Sequence, residues 1–255
     1  MAERRIILHV GTHKTGTSSF QASLAANRAR LEADGIVPVA RKGGDGRPGA
    51  EAYNLAGLAN LFIRPDLATP PRLRAPGREP KPEEAARRRR LFARRLAEDP
   101  AETLLLSAEG FCYLRSAEEA GWMRDFLAET GRAAQILLVL RGEAGWRQSW
   151  RNQLARDTRV RRALGALPEA RRPDGEWYFD RAALTGFWAG QGALTVVDYD
   201  AALAADGSVL PALYRALGVD PAGLDLDFHQ KRRRWYAPLL APVYRFVKPL
   251  KKALR

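Results

Sequence analysis

Gly11 and Gly16 bracket a short run, Gly11-Thr-His-Lys-Thr-Gly-Thr-Ser18, that interleaves glycine, hydroxyl and cationic residues. The spacing suits a turn whose backbone N–H groups reach phosphate oxygens closely, because glycine carries no Cβ to hold them off. Thr12, His13, Lys14 and Thr15 lie inside this turn and belong to the same candidate anion-binding set. Thr17 and Ser18 open a segment of helical periodicity (Phe20, Leu24, Leu31). Unpaired N–H groups and the helix dipole favour an anion there, and the two hydroxyls can cap the helix or bond to phosphate. Two further positions can do chemistry. Arg141 is followed eight residues later by Ser149, a planar fork of donors with one directional hydroxyl beside it. Glu109 follows the apolar run Thr103–Ser107, and a carboxylate there can serve as a general base or cap the turn that follows.

These residues need elements to hold them. Arg5–Val10 is an apolar run that stops at Gly11, which is how a buried parallel strand reads. Ile36–Val39, Thr103–Ser107, Ala134–Leu140 and Leu194–Val197 are four more candidate strands. Helical patterns span the stretch after Gly16 up to Asp34-Gly35, then 83–98, 117–130, 143–157, 180–189 and 208–217. The alternation predicts a three-layer α/β/α domain with a central, mostly parallel sheet of about five strands, doubly wound and carrying its ligands at the carboxyl ends of the strands. We expect one domain over 1–228 and a separate basic tail over 229–255. Residues 41–82 open with Lys-Gly-Gly-Asp-Gly-Arg-Pro-Gly and then gather prolines, so they read as a long, partly ordered insertion with one short helix inside 53–63. Residues 159–177 read as an arginine- and proline-bearing loop. Trp146 and Trp150 read as core. His9, inside the first strand, reads as a satisfied core histidine.

The loop departs from nucleoside-triphosphate chemistry in two ways. Its second glycine is followed by Thr17 rather than by Lys-Ser/Thr, and the lysine sits inside the loop, at Lys14. The strand that would supply a magnesium-binding aspartate reads Leu-Leu-Leu-Ser-Ala-Glu. From the residues alone, a degenerate loop that binds phosphate without chemistry also stands.

The stretch Thr12–Ser19 resembles the 5′-phosphosulfate loop of sulfotransferases that use 3′-phosphoadenosine 5′-phosphosulfate (PAPS), a group with a fold like that of P-loop nucleoside-triphosphate hydrolases. The pair Arg141 and Ser149 is similar to that family's 3′-phosphate clamp, and Leu140–Gln153 resembles its bacterial carbohydrate-type members. The resemblance runs over roughly residues 5–220. It implies that Lys14 contacts the bridging oxygen and the transferred group, that Gly11–Ser18 hold the 5′-phosphosulfate, and that Tyr199, after the fifth strand, lies near the adenine. It also implies a His or Glu base just past the third strand, which falls on Glu109, with His13 as the rival. The product would be adenosine 3′,5′-bisphosphate. The acceptor would be a hydroxyl or amine, of a carbohydrate or glycolipid. Transfer of a singly charged sulfuryl group needs no metal clamp of the phosphoryl-transfer kind, so no metal is expected. The family's basic Gly-rich loop in its cytosolic form is absent, and Lys231–Arg234 is the available substitute. A small-molecule kinase using ATP and magnesium, and a non-catalytic nucleotide-binding module, are the alternatives.

Composition narrows the partners. The net charge is +13, and residues 229–255 hold nine Lys/Arg and no acid. That tail alternates apolar and basic residues and is broken by Pro238, Pro242 and Pro249. It suits an anionic membrane surface, an anionic glycan, or docking onto its own domain. No nucleic-acid recognition motif accompanies the charge, so no nucleic acid is expected. The single cysteine, Cys112, rules out an internal disulfide. With no apolar run near the roughly 20 residues of a membrane span and no cleavable signal in the first residues, the expected location is cytoplasmic, with the tail able to hold the chain on the inner face of the membrane.

Overall fold

A computed structural model describes residues 3–41, 50–77 and 79–228. The basic tail lies outside the described residues. Five strands form one sheet: β1 (Arg5–Gly11), β2 (Ile36–Pro38), β3 (Thr103–Ser107), β4 (Ala133–Leu140) and β5 (Ala193–Asp198). Their order is β2-β3-β1-β4-β5, and every pairing is parallel. This is the expected sheet. Among the described residues no helix is long and apolar enough to cross a membrane.

Side chains alternate across a strand, and the two faces of the sheet build two separate cores. Ile6, Leu8 and Val10 share one face with Leu104, Leu106, Ile136 and Leu138, under the helices 82–98, 117–130, 143–155 and 181–189. Ile7, Leu105, Leu137 and Val139 share the other with Phe20, Leu24, Leu213 and Tyr214. Both faces are covered, which is why the central strands are apolar throughout rather than alternating.

The connectivity places the site. The chain leaves β1, goes outward to β2, returns to β3 beside β1, and then crosses to β4 on the opposite side. The carboxyl ends of three adjacent strands, β3, β1 and β4, therefore meet at the reversal. Neighbouring strands lie about 4.8 Å apart, so the residues that follow those ends come within one ligand's reach. They are Glu109, the Gly11 loop and Arg141.

Several segments differ from the sequence expectation. The helical stretch after Gly16 is two helices, Thr17–Ala26 and Arg28–Ala33. Asn27 breaks it: its amide donates to the Ser23 and Asp225 carbonyls, and its own oxygen accepts from Asp225 N–H at 2.8 Å. A side chain so engaged with distant backbone competes with helix continuation. Residues 159–177 are not a loop. Thr158–Gly165 is a helix capped by Asp157, and short turns at Glu169–Arg171 and Glu176–Phe179 follow. The arginines that suggested a loop form the polar face of that helix, whose Val160 and Leu164 are buried. Tyr199 starts a further helix, Tyr199–Asp206, capped by Asp198.

The described part of the 41–82 segment is folded around one cation. The Arg72 guanidinium, itself buried, donates to the carbonyls of Ile63, Arg64 and Leu67 and to Asn60 Oδ1. Buried Glu119 fastens this segment to the domain. Its carboxylate accepts from the backbone N–H of Arg64, Arg115 and Ser116 at 2.8–2.9 Å. Ser116 in turn caps the 117–130 helix, and together they make a capping box. A fully buried carboxylate is tolerable only when its oxygens are satisfied in this way.

Candidate active site

The loop after β1 is strained where it should be useful. Among the described residues Lys14 is the one non-glycine residue with positive φ, at 69°. Gly16, also left-handed at φ 84°, precedes the helix. The fold holds the loop in this shape from inside. Thr12 N–H donates to Val139 O at 3.2 Å, and Thr15 Oγ1 donates to Thr12 O at 2.6 Å. A Cβ on Gly11 would lie 2.4 Å from Thr17 Oγ1, so only glycine lets the loop close over the helix start. No side chain caps the helix 17–26 and no acid sits in its first turn, so its N–H groups and positive dipole end stay free for an anion. Thr17 Oγ1 is buried without a hydrogen-bond partner.

Opposite the loop, the Arg141 guanidinium donates to Ser149 Oγ at 2.7 Å. Gly145, on the helix between them, has no Cβ to push the guanidinium away; one would lie 2.9 Å from Arg141 Nε. The guanidinium also lies over the Tyr199 ring at 5.2 Å. Asp200 accepts from Gly142 N–H at 2.7 Å and lies 3.8 Å from Arg141, which fixes the turn after β4. Lys14, Gly16, Arg141, Ser149 and Tyr199 line one cavity of about 290 Å³. Sequence reasoning missed the rest of that wall, Ser19, Leu203, Gly207, Ser208, Val209 and Phe228. Ser19 was legible from helix spacing. The others arrive through tertiary packing and carry no local signal.

His13 and Glu109 lie on the other flank of Lys14, outside this cavity. His13 is buried, and its two ring nitrogens meet the Tyr113 hydroxyl at 3.0 Å and the Tyr178 hydroxyl. Cys112 Sγ and the Trp150 ring complete the cage. Burial lowers the His13 pKa, and Glu109 opposes that shift. Burial likewise pushes Tyr113 and Tyr178 well above the usual phenol range and Cys112 up to about 12. The cluster is therefore uncharged near neutral pH. A neutral imidazole has one donor and one acceptor, so one tyrosine hydroxyl donates to the ring and the other accepts from it. Glu109 opens the turn Glu109–Tyr113, remains 38% exposed, and places Oε2 at 3.9 Å from His13 Nε2. Trp146 and Trp150 are core, fully buried, as expected.

His9 is also core, but only half satisfied. Its Nδ1 bonds Ser107 Oγ at 2.9 Å, while Nε2 has no partner. Burial lowers its pKa to about 3, against about 6.5 unfolded. The unfolded chain therefore binds a proton that the folded chain refuses. The His9 contribution is complete above pH 6.5 and lost as pH falls towards 3. Stability measured by urea unfolding should fall between pH 6.5 and 4.5. His9→Asn, which keeps a partner for Ser107, should flatten that slope by about 1.4 kcal/mol per pH unit. An unchanged slope would show that His9 is not the residue responsible.

Fold and site together define a class: an α/β domain with a five-stranded parallel sheet, a lysine inside the glycine loop after β1, and an Arg–Ser pair after β4. No protein-family model matches the chain, and no curated protein matches it. Among solved structures it is similar to the crystal structure of a sulfotransferase from Alicyclobacillus acidocaldarius, with a TM-score of 0.51 and 21% sequence identity over 94% of this chain and 92% of that one. At that identity the likeness shows a shared fold.

Proposed function

We propose that the chain is a PAPS-dependent sulfotransferase. The observation that carries this reading is the single cavity with an anion-binding loop at one side and the Arg141–Ser149 pair at the other. Two separate anion sites suit a nucleotide with phosphate at both 5′ and 3′ positions, which PAPS has and ATP lacks. The chain's own groups fit the ligand. Thr17 Oγ1 and Arg141 Nε are buried polar atoms without hydrogen-bond partners, and Leu203, 42% exposed, offers apolar surface on the same wall. Buried polar groups of this kind gain most from a ligand that pairs them.

The chemistry follows from placement. Lys14 holds its ammonium beside the loop, where negative charge grows on the oxygen bridging sulfur and phosphorus as that bond breaks. Glu109 takes the proton of the acceptor hydroxyl or amine as the new bond to sulfur forms, and adenosine 3′,5′-bisphosphate leaves with the electron pair. Glu109 is the better base than His13, because both ring nitrogens of His13 already face tyrosine hydroxyls inside the core while the carboxylate reaches solvent. His13 acts by positioning, standing between Glu109 and Lys14 in the chain of contacts. A hydroxyl of a carbohydrate or glycolipid remains the proposed acceptor, a cytoplasmic location the proposed setting, and contact of the tail with an anionic membrane a proposal for residues outside the described ones.

Thermal shift tests the nucleotide. Adenosine 3′,5′-bisphosphate should raise the melting temperature, and ATP with magnesium should do so far less. Arg141→Ala should weaken the bisphosphate about 30- to 100-fold, since a charge-assisted contact is worth about 2–3 kcal/mol. Its effect on adenosine 5′-phosphosulfate, which lacks the 3′-phosphate, should be within about three-fold. Stabilisation by ATP alone, with activity abolished by a chelator, would instead establish the kinase reading.

A further inference from the structure

A cavity of about 930 Å³ lies next to the phosphate loop rather than in it. Ser18 and Gln21, on the helix that the loop opens, form one side. The second side is the segment 54–58 with Leu61, pinned where Leu55 N–H donates to Ser107 O, two residues before Glu109. The third is one face of the helix Pro82–Glu98, carrying Arg88, Leu91, Phe92 and Arg95. The apolar members of the wall are Leu55, Ala56, Leu58, Leu61, Leu91 and Phe92. Its charged members are three arginines, Arg41, Arg88 and Arg95, with no acid among the lining residues.

These arginines differ. Arg88 is paired with Glu84 at 2.6 Å. Arg95 is exposed, and no hydrogen bond or ion pair engages it among the described residues. Leu91, beside it, is 52% exposed, the most exposed large apolar side chain of the described residues. An apolar wall ending in an unpaired guanidinium is a place for a molecule with an apolar body and an acidic end. Of the acceptors proposed above, a plain sugar would leave the leucines wet, whereas one that carries a lipid body would cover them. The chain's own undescribed segments are poor complements, since residues 42–49 contain no large apolar side chain and residues 229–255 repeat the charge of the rim.

We propose that this cavity takes the acceptor, and that the acceptor is an anionic amphiphile whose acid group pairs with Arg95 and whose apolar body lies against Leu58, Leu61, Leu91 and Phe92. Its role as acceptor site rests on the sulfotransferase reading. The ligand class does not. The size suits it, since small-molecule pockets are usually about 300–1,000 Å³. The acid fixes one end of the molecule at Arg95, and Ser18, next to the loop, lines the same cavity.

Calorimetry on the full chain with adenosine 3′,5′-bisphosphate present decides this, using 12-hydroxydodecanoate and 1,12-dodecanediol as probes. The hydroxy acid should bind at least ten-fold more tightly than the diol. Arg95→Glu should remove that advantage without changing diol binding, and Arg95→Lys should restore most of it. In turnover, Arg95→Glu should raise KM for the acid about ten-fold with kcat unchanged. Equal binding of acid and diol, failure of both to bind, or an acid preference untouched by Arg95→Glu would each overturn the proposal. Arg95-dependent binding of the acid in a chain that fails to bind the bisphosphate would leave the cavity's ligand class standing and remove the sulfotransferase reading instead.

Discussion

Lys14→Gly should fold at least as stably as the unaltered chain and yet transfer sulfuryl groups about 100- to 1,000-fold more slowly. The two halves have separate causes. Lys14 sits at φ 69°, a conformation that costs a non-glycine residue about 1 kcal/mol or more, and glycine adopts it freely. The gain is offset in part by the greater freedom of glycine in the unfolded chain. In the proposed reaction, by contrast, the ammonium is the group that meets charge developing on the bridging oxygen, and nothing else in the cavity wall but Arg141 is cationic. The checks are a urea midpoint and kcat with an acceptor that supports turnover. A variant that folds and retains kcat within three-fold would show that Lys14 serves the loop's shape or ground-state binding alone.

Glu109→Gln should reduce kcat about 100- to 10,000-fold, the range a general base supplies. Bisphosphate binding should be unchanged, because Glu109 lies outside the cavity that holds the Arg–Ser pair. The substitution keeps size and hydrogen-bonding shape, and the side chain is over a third exposed, so folding should survive. A large kcat loss with intact nucleotide affinity would separate the base from residues that merely shape the loop. If kcat is retained, the carboxylate is a cap for the turn at Glu109–Tyr113, and proton removal must be sought elsewhere.

The sheet was legible because buried parallel strands are short apolar runs with sharp ends. All five strands fall where their runs do. The loop was legible for a related reason: Gly11 and Gly16 are needed at positions where a Cβ would collide with Thr17 and Val209. Arg141 and Ser149 were paired through the resemblance to the sulfotransferase clamp, and the structure brings them to 2.7 Å across the corner between β4 and the following helix. The environment of His13 was not legible. Tyr113 and Tyr178 lie 100 and 165 residues away, and only packing brings them to the ring. The helix at 158–165 was hidden by its own arginines, since a single turn between buried Val160 and Leu164 is too short a pattern to outweigh them. Ser116 and Glu119 stand at capping-box spacing, but the hold of that glutamate on Arg64, 55 residues away, carries no local signal.

That clasp at Glu119 has a bearing on how such a chain can diversify. It grips main-chain N–H groups, which every residue but proline offers, so it places almost no demand on the sequence of the segment it fastens. Arg72 works in nearly the same manner, reading three carbonyls from within and one side chain, that of Asn60. The wall facing the larger cavity is thus attached by anchors blind to its side chains. With the larger cavity taken as the proposed acceptor site, its leucines can be exchanged for polar or bulkier groups while the Gly11 loop and Arg141–Ser149 stay as they are, so the choice of acceptor would be a separately heritable trait.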